Sequence, residues 1–481
     1  MVQFGPTSGP GCSGCCALFN ETAHKTHCGR VFQGALDNAY LVEALNAISL
    51  RPKLARRLFL AWSVEFSVYA VRLFKNGTWL CVEVDDWVPV PAAEEAGDRP
   101  FCCHSEHFPD VLWPSVVEKA YAKACTIRDG GVGSGATSSG GWEAVGGGGS
   151  VDEALADLTG GVASSFSTRD VSPDRLFLYL YELQRRCLFV CRVSRANCRR
   201  NSMRLNPLAH HAVNRAAHHE GHCFVQVFCS HPSGVFSGGL DLLTIPETLV
   251  AAFPERVEDG FFWLSILDFH FYFDTIFECR LVNSPDVGIP LMPREAELRD
   301  FSEHVFATAG VVTAHRPPEF GVVVPEACEV VVAVEQTCGR ILQLGPERRR
   351  PAALLLKVYE QVRGDAYSSE VVCRSAWRPA RGAMAAFRGG GSFRIVAEVG
   401  YGERCDRLVF RCYTSASATV SAGAGLRRHL LVEPRGPPAA IPWTLVGMGS
   451  RARAFHPAAA EEDLDRLEER EREAASACCV A

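Results

Sequence analysis

The spacing of apolar residues changes along the chain, and this change restricts the accessible folds more than any other feature of the sequence. Leu41, Leu45 and Ile48 recur at three- and four-residue steps, which is the period of an amphipathic helix. From about residue 314 to 415, evenly spaced short apolar runs follow one another without any helical spacing. At 481 residues the chain is also too long for a single core. The sequence therefore predicts an α+β protein of two or three domains that ends in an all-β sandwich.

Charge and cysteine usage narrow the classes of function. The formal net charge is -6, which argues against nucleic acid as the main partner because phosphate binding needs a concentrated positive surface. The 21 cysteines follow no regular framework spacing, and the N-terminus has no charged segment leading into an apolar one. No run approaches the roughly 18 apolar residues that a membrane span requires. These features predict a reduced, intracellular protein.

Local patterns place the elements of the first part of the chain. Arg51-Pro52 predicts a break between two successive helices, and Asn76-Gly77 between two apolar runs predicts a β-hairpin within residues 64–90. Residues 111–125 return to helical spacing. Residues 128–150 are rich in Gly and Ser and predict a flexible loop, which lacks the Lys-Ser/Thr that follows the glycines of a phosphate-binding loop.

Several stretches resemble one known family in the order in which that family has them. Gln33-Gly34-Ala35-Leu36 resembles the start of the calpain active-site motif, Gln-Gly-x-Leu-Gly-Asp-Cys-Trp. The further stretches that resemble calpains are Gly77–Trp79, Val84–Pro89, Leu112–Lys123, Glu153–Gly161 and Asp259–Ser265. The resemblance implies a papain-like core of two subdomains that face each other across a cleft, followed by a calpain-type β-sandwich.

Composition and the resemblance together predict the domain boundaries. These are a flexible Cys-rich arm at 1–28, core subdomain 1 at 29–127, the Gly/Ser-rich loop at 128–150, core subdomain 2 at 151–285, the β-sandwich at 286–430, and a tail with a charged helix at 431–481.

Thiol proteolysis needs a thiolate, a base that takes its proton and a group that orients the base. Aligning Gln33 and its neighbours on the calpain motif puts Ala39 at the position of the nucleophilic cysteine and Tyr40 at that of the tryptophan. Gln33 itself falls at the oxyanion position. A methyl group cannot attack a carbonyl, so the alignment predicts that the catalytic triad is degenerate.

The positions of the other two triad members are less sharply defined by the sequence. The calpain histidine motif aligns best with His211, and its asparagine then aligns with His231, twenty positions later. The rival for the histidine is His222, which is only nine positions from His231 and leaves too little room for two strands and a turn. With either histidine, His231 stands in place of Asn, so two of the three roles have changed.

Metal binding has several candidate positions. Calpains are activated by calcium, but Arg30 stands where the resemblance implies an acidic ligand, and the loop 235–239 carries no carboxylate. Glu153 matches a second acidic ligand. The sequence therefore does not favour calcium, and no cofactor is predicted. Two further groups contain residue types that bind metals. Cys12, Cys15, Cys16, His24, His27 and Cys28 lie in the N-terminal arm, for which a flexible thiol-rich arm is the simpler interpretation. His210, His211, His218 and His219 form the second group, for which a polar loop is the simpler interpretation.

The leading hypothesis is a non-catalytic calpain-like protein, a binding or scaffolding module whose protease-derived cleft holds a protein or peptide partner. The alternative is an active calpain-like cysteine endopeptidase whose nucleophile lies elsewhere. The C-terminal Cys478-Cys479-Val480-Ala481 resembles a prenylation box and makes Cys478 and Cys479 candidates for lipidation. The predicted location is the cytoplasm, with attachment to membrane through those lipids or to the cytoskeleton.

Overall fold

The structure is a computed structural model of the chain. The residues that it describes are 3–6, 17–19, 28–90, 100–105, 111–125, 141–197, 205–206, 208–229, 245–253, 260–282, 301–337, 351–363, 366–405, 407–423 and 426–428.

The first part of the chain, here called the helical half of the core (residues 28–159), carries mostly helices. Its helices are α1 (Ala39–Ser49), α2 (Pro52–Arg56), α3 (Trp113–Ala124), α4 (Gly141–Gly146) and α5 (Val151–Thr159). Its strands, with β1 (Gln3–Pro6) before it, are β2 (Val31–Phe32), β3 (Phe59–Ser63), β4 (Val68–Lys75), β5 (Thr78–Val84), β6 (Trp87–Val90) and β7 (His104–Ser105).

Two local predictions are confirmed in this half. Helix α2 begins at Pro52, where the missing N–H of proline costs nothing, and so a break separates α1 from α2. Asn76 and Gly77 have φ angles of 53° and 72° and join β4 to β5 as an antiparallel hairpin. Positive φ at both positions is what a type I′ turn requires, and Asn-Gly supplies it at low cost.

The end of the Gly/Ser-rich stretch differs from its prediction as a loop. Residues 141–146 form α4, in which Ala144 and Val145 are buried and the Trp142 ring lies 5.7 Å from that of Phe101. The apolar side chains of this segment find partners, and their burial offsets the cost of ordering a glycine-rich backbone. Residues 128–140 lie outside the described residues.

The next part, here called the sheet half of the core (residues 162–282), is an antiparallel sheet with helices. The strand order is β12-β11-β10-β9-β13-β8. The strands are β8 (Val162–Ser167), β9 (Cys187–Val193), β10 (His210–His219), β11 (His222–Phe228), β12 (Phe261–Ser265) and β13 (Phe273–Arg280). The helices are α6 (Pro173–Leu183), α7 (Glu247–Ala251) and α8 (Ile266–Tyr272), with a 3₁₀ turn at Thr168–Asp170.

The two faces of this sheet belong to different apolar clusters, because successive side chains of a strand point to opposite faces. Val190 and Ala212 pack into the cluster that contains α1 and α5. Cys191 and Val213, one position along each strand, pack into the cluster of α6 and α8. The cluster around α1 therefore extends from the helical half into the sheet half. Helix α5 also packs on α1 and β4, while the predicted subdomain boundaries remain a prediction.

The last described part, here called the C-terminal sheet (residues 301–428), is all β. One connected antiparallel sheet has the order β18-β17-β20-β16-β22-β14-β24, with β19 on β17 and β23 on β16. The strands of that sheet are β14 (Ser302–Thr308), β16 (Glu319–Gln336), β17 (Ala353–Arg363), β18 (Ala366–Arg374), β19 (Arg378–Pro379), β20 (Gly382–Val399), β22 (Leu408–Thr414), β23 (Thr419–Ala422) and β24 (Leu426–Arg428). Strands β15 (Val312–Thr313) and β21 (Arg404–Cys405) pair with each other as a separate two-stranded sheet.

The α+β class is confirmed, but one pair of predicted strands is a single strand. Residues 322–324 and 330–334 are both parts of β16, whose pairing with β20 shifts register between Val324 and Cys328. Pro325 lies in this interval and has no N–H to donate, which favours an irregularity at that point of the ladder. The predicted tail helix falls outside the described residues.

Candidate functional site

Helix α1 begins at Ala39, the position that the sequence aligns with the nucleophile. The N–H groups of Leu41 and Val42 are bonded to the carbonyl of Asn38, at 2.8 and 3.2 Å. A helix N-terminus of this kind lowers the pKa of a thiol placed on it. The residue in that place carries only a methyl group, and it is partly exposed. Helix α1 therefore begins with a residue that carries no thiol.

The segment before α1 is held tightly. A Cβ on Gly34 would lie 2.3 Å from the Phe101 carbonyl oxygen and 2.5 Å from that of Cys102, so only glycine fits there. The Gln33 side-chain amide donates to the carbonyl of Leu36 at 2.6 Å. At least one N–H of the residue at the oxyanion position is thus committed to its own turn rather than to a substrate.

The residue before Ala39 is joined to a buried carboxylate. Asn38 donates from Nδ2 to Glu118 Oε1 at 2.5 Å, and the backbone N–H of Cys103 donates to Oε2 at 2.9 Å. Burial raises the pKa of Glu118, although these hydrogen bonds to the carboxylate act in the opposite direction. Asn38 is the N-cap residue by position, but its side chain makes no capping bond because it is used here.

Among the described residues, the thiols of Cys102 and Cys103 interact with the Glu118 carboxylate, and both are buried. Burial, reinforced by the Glu118 charge, raises the pKa of both thiols well above the usual value. Burial also raises the pKa of Cys28 to about 12. A thiol with a raised pKa stays protonated near pH 7 and is a poor nucleophile. Among the described cysteines, each resolved pKa shift is upward: Cys28, Cys81, Cys102, Cys103, Cys187, Cys191, Cys223, Cys279, Cys373 and Cys412.

His211 lies on β10 with 2% of its surface exposed. Its ring centroid is 6.4 Å from that of Phe262 and 6.1 Å from that of Phe273, both at nearly right angles. Its strand partner is Cys191, whose thiol donates to the His211 carbonyl at 3.3 Å. These neighbours belong to the cluster of α6 and α8, on the face of the sheet opposite to α1.

His210 lies on the other face, which packs against α1. Its ring centroid is 5.4 Å from that of Phe277, a member of the α1 cluster. Burial, with help from the Arg192 charge and against that of Asp274, lowers the pKa of His210 to about 4, so the imidazole is neutral at pH 7. The sequence assigned this residue no triad role. The signal that would have singled it out is strand parity, because His210 shares a face with Ala212.

His222 is remote from both of these histidines. It is exposed, begins β11, and pairs with His219 at the turn of the β10–β11 hairpin. His219 lies eight residue steps along β10 from His211, which corresponds to about 26 Å. The other end of β11, from which the chain continues toward His231, is paired beside His211, with Phe228 opposite Ala212.

The remaining predicted positions have different outcomes. The separation along β10 divides the four-histidine group into two pairs, with His210 and His211 at one end and His218 and His219 at the other. Outside the described residues lie His231, Cys478, Cys479, Cys12, Cys15, Cys16, His24, His27 and the loop 235–239.

The described residues do not fit the calcium that the resemblance implies. At the first acidic position, the guanidinium of Arg30 lies against Gly260. At the second, Glu153 faces Arg381 with 3.7 Å between Oε1 and Nη1. Within the part of the chain that the structure covers, no group of three His, Cys, Asp or Glu side chains is arranged to hold a metal ion. Calcium prefers several anionic oxygens, and cations at both positions oppose it.

Comparisons with known proteins give one consistent similarity. A model described as "Calpain family cysteine protease" matches residues 15–219. The Calpain-type cysteine protease ADL1 of Oryza sativa subsp. japonica is 26% identical over 266 residues, which is 52% of this chain and 11% of that protein. Calpain-9 of Mus musculus is 27% identical over 274 residues, which is 53% of this chain and 36% of that protein. The Calpain-1 catalytic subunit of Homo sapiens is 29% identical over 167 residues, covering 34% and 20%.

The matched segments span only a minor part of these relatives, from 11% to 36% of their length. No helix among the described residues is long and apolar enough to cross a membrane.

Proposed function

Since the chain belongs to the calpain family, we propose that it is a non-catalytic member of that family, a binding or scaffolding module built on a protease fold. In this proposal the helical half and the sheet half are the two subdomains of a papain-like core, and the C-terminal sheet is the calpain β-sandwich. The cleft between the subdomains holds a protein or peptide partner without cleaving it.

The observation that carries the proposal is the methyl group of Ala39 at the first residue of α1. An acyl transfer of the cysteine-protease type begins with a thiolate attacking the peptide carbonyl, and no other part of the site can replace that atom. Residual catalysis by oxyanion donors alone is weak. Here the Gln33 amide also donates to Leu36.

The alternative, an active endopeptidase with a different nucleophile, meets a physical difficulty. The described thiols joined to the α1 N-terminus through Glu118 are those of Cys102 and Cys103, and their pKa values are raised by burial. Cys28 is held against α1 by a bond from its N–H to the Ser49 carbonyl, and its thiol pKa is also raised. These thiols remain protonated at neutral pH, so none is prepared for attack.

The test is a peptidase assay of the purified chain. Fluorogenic peptide and casein should remain intact with and without calcium. Calcium-dependent cleavage that a thiol alkylator abolishes would overturn the proposal.

Restoring the nucleophile tests the assignment of the site. Ala39→Cys should react with an epoxide thiol inhibitor only weakly, because His231 stands in place of the orienting asparagine, and Ala39→Cys with His231→Asn should react faster. Ala47→Cys, at a buried position within the same helix, is the control for an α1 thiol away from the N-terminus and should not react. Full peptidase activity of the single Ala39→Cys variant would show that the asparagine assignment is wrong.

The proposal includes a cytoplasmic location with attachment through a lipid on Cys478 and a second acyl chain on Cys479, or to the cytoskeleton. One lipid chain binds membrane only marginally, so a second one is needed for stable attachment. Mass spectrometry of the C-terminal peptide from native cells tests this part, and an unmodified Ala481 terminus in the bulk of the protein would contradict it.

A further inference from the structure

We propose that Arg30 is a built-in cation that joins the helical half to the sheet half and makes the closed core independent of calcium. This role of Arg30 in holding the core together does not depend on whether the core is catalytic. The anchoring of its backbone, the contacts of its guanidinium and the charges nearby support it.

The backbone around Arg30 is fixed to the helical half. Val31 and Asn46 of α1 exchange two hydrogen bonds of 2.9 Å, from the Val31 N–H to the amide oxygen and from the amide nitrogen to the Val31 carbonyl. Cys28 donates from its N–H to the Ser49 carbonyl at 2.8 Å. Strand β2, which starts one residue after Arg30, pairs with β7. Arg30 therefore projects from a rigid base.

The guanidinium of Arg30 reaches the sheet half at Gly260. A Cβ on Gly260 would lie 2.9 Å from the Cys229 carbonyl oxygen and 2.8 Å from Arg30 Nη1, so both the backbone and the guanidinium leave no room for a larger residue. Gly260 has a φ of 94°, which also favours glycine. Its carbonyl accepts the N–H of Cys229 at 2.9 Å, and Phe261, the next residue, pairs with Phe228. The contact point is thus fixed on the β11–β12 end of the sheet.

The charge of this contact is permanent. An arginine side chain remains protonated at any physiological pH. The guanidinium carbon of Arg30 lies 5.5 Å from the centroid of the Phe32 ring, which favours a cation over its face. A calcium ion brought to the same place would be repelled by that charge. The resemblance implies an acidic calcium ligand here, and the chain has the opposite charge.

The halves are also joined at a second position. Arg51, which precedes α2, donates from Nη2 to the Asn214 carbonyl of β10 at 3.4 Å. One apolar cluster contains Leu41 and Leu45 of α1 together with Val190 and Ala212 of the sheet. The closed arrangement therefore needs no added ion to bring its surfaces together, and Arg30 supplies the positive charge at its edge.

The experiment uses the full chain and measures amide hydrogen exchange, with millimolar calcium chloride or with a chelator. The unaltered protein should show the same exchange of β2 and β12 and the same thermal midpoint in both conditions. Arg30→Gln should speed exchange of the Phe261–Leu264 amides about tenfold, which corresponds to about 1.4 kcal/mol of local opening free energy. The matched control is Arg72→Gln, whose guanidinium lies 4.9 Å from the Trp79 ring within the helical half, and it should not speed exchange at β12 selectively.

Two outcomes would overturn the inference. The first is protection of β2 and β12 by calcium in the unaltered protein, a measurement that does not depend on any variant folding. The second is an equal response of β12 to Arg30→Gln and Arg72→Gln. Arg30→Lys, which keeps the charge but not the planar group on Phe32, should fall between the unaltered protein and Arg30→Gln.

Discussion

Asp157 on α5 is a fully buried carboxylate between two cations, and its replacement should be among the most damaging single changes in the protein. Its carboxylate pairs with Lys75 of β4 and with Arg381 beside β20, and it accepts the Tyr121 hydroxyl at 2.6 Å. The exposed fractions of the side chains are 0% for Asp157, 1% for Lys75 and 9% for Arg381. This network joins the helical half to the C-terminal sheet.

The size of the effect follows from the burial of the partners. Removing one member of a buried ion pair typically costs 3–5 kcal/mol, because the remaining charge keeps its desolvation cost and loses its partner. Asp157→Asn removes the negative charge that pairs with the Lys75 ammonium, which still lies 4.1 Å from the Tyr121 ring centroid. Arg381 keeps Glu153 at 3.7 Å. We therefore expect a loss of about 3–5 kcal/mol in the free energy of unfolding.

The pH dependence has a definite sign. Burial alone would raise the pKa of Asp157, but Arg381 and Lys75 with the hydrogen bonds hold it below its usual value. A lowered pKa contributes stability at pH values above that of an unfolded aspartate, about 3.9, and this contribution is lost as the pH falls through the folded value. The difference between the unaltered protein and Asp157→Asn should be constant above about pH 4 and should narrow in more acidic solution.

The assay is urea unfolding followed by tryptophan fluorescence at several pH values. Glu398→Gln is the control, because Glu398 pairs with Lys357 at 2.7 Å on the partly exposed face of the C-terminal sheet. A pair of that kind contributes about 0–1 kcal/mol. If Asp157→Asn costs no more than Glu398→Gln, the argument from the buried network is refuted.

Two further predictions concern the α1 N-terminus and the C-terminal sheet. Asn38→Asp places a second carboxyl against the buried Glu118 and removes the 2.5 Å donor, so it should lower the free energy of unfolding by about 1–3 kcal/mol at pH 7. The loss should become smaller as the pH falls, because burial raises the pKa of Glu118 and protonation of the pair relieves the repulsion. An unchanged urea midpoint at pH 7 would contradict this. A fragment of residues 301–428 should unfold cooperatively when unfolding is followed by circular dichroism. A shorter fragment of residues 314–415 should be less stable, because it lacks β14, which pairs with β22 and supplies the buried Phe306. Equal unfolding midpoints for the two fragments would contradict this prediction.

Local signals in the sequence were sufficient for elements whose conformation is decided by neighbouring residues. The Asn76-Gly77 hairpin and the start of α2 at Pro52 depend on backbone preferences of two or three residues, and the structure has both. The helix α4 at 141–146 was missed, because its stability comes from contacts of Trp142 and Val145 with distant parts of the chain. A glycine-rich composition does not reveal such contacts.

The sequence was sufficient to predict where the candidate site residues lie along the chain, but only partly which face of an element each side chain occupies. Alignment placed Ala39 at the start of a helix, and the structure begins α1 there. It also directed attention to His211, whereas His210 is the histidine on the face that packs against α1. Adjacent residues of a strand always point to opposite faces, so a motif that fixes position to within one residue leaves the face undecided. The assignment of His211 to the triad remains a prediction.

One of the stretches that resemble calpains, Glu153–Gly161, makes close contacts with other parts of the structure. Gly160 ends α5 with a φ of 69°, and a Cβ there would lie 2.3 Å from the Trp79 ring. Its carbonyl and that of Gly161 accept hydrogen bonds from the buried Arg411 of β22 at 2.6 and 2.7 Å. The Thr159-Gly160-Gly161 part of the motif is therefore a joint between the core and the C-terminal sheet.

Sequence similarity at residues that make such packing contacts gives information about the fold and does not depend on catalysis. Trp113 and Tyr121, within the matching stretch Leu112–Lys123, are fully buried, and the Tyr121 hydroxyl donates to Asp157. Ala39, in contrast, is partly exposed at the start of its helix, so packing does not prevent a thiol from standing there. Similarity to calpains in these buried residues is thus compatible with the alanine at position 39, because the two features depend on different residues.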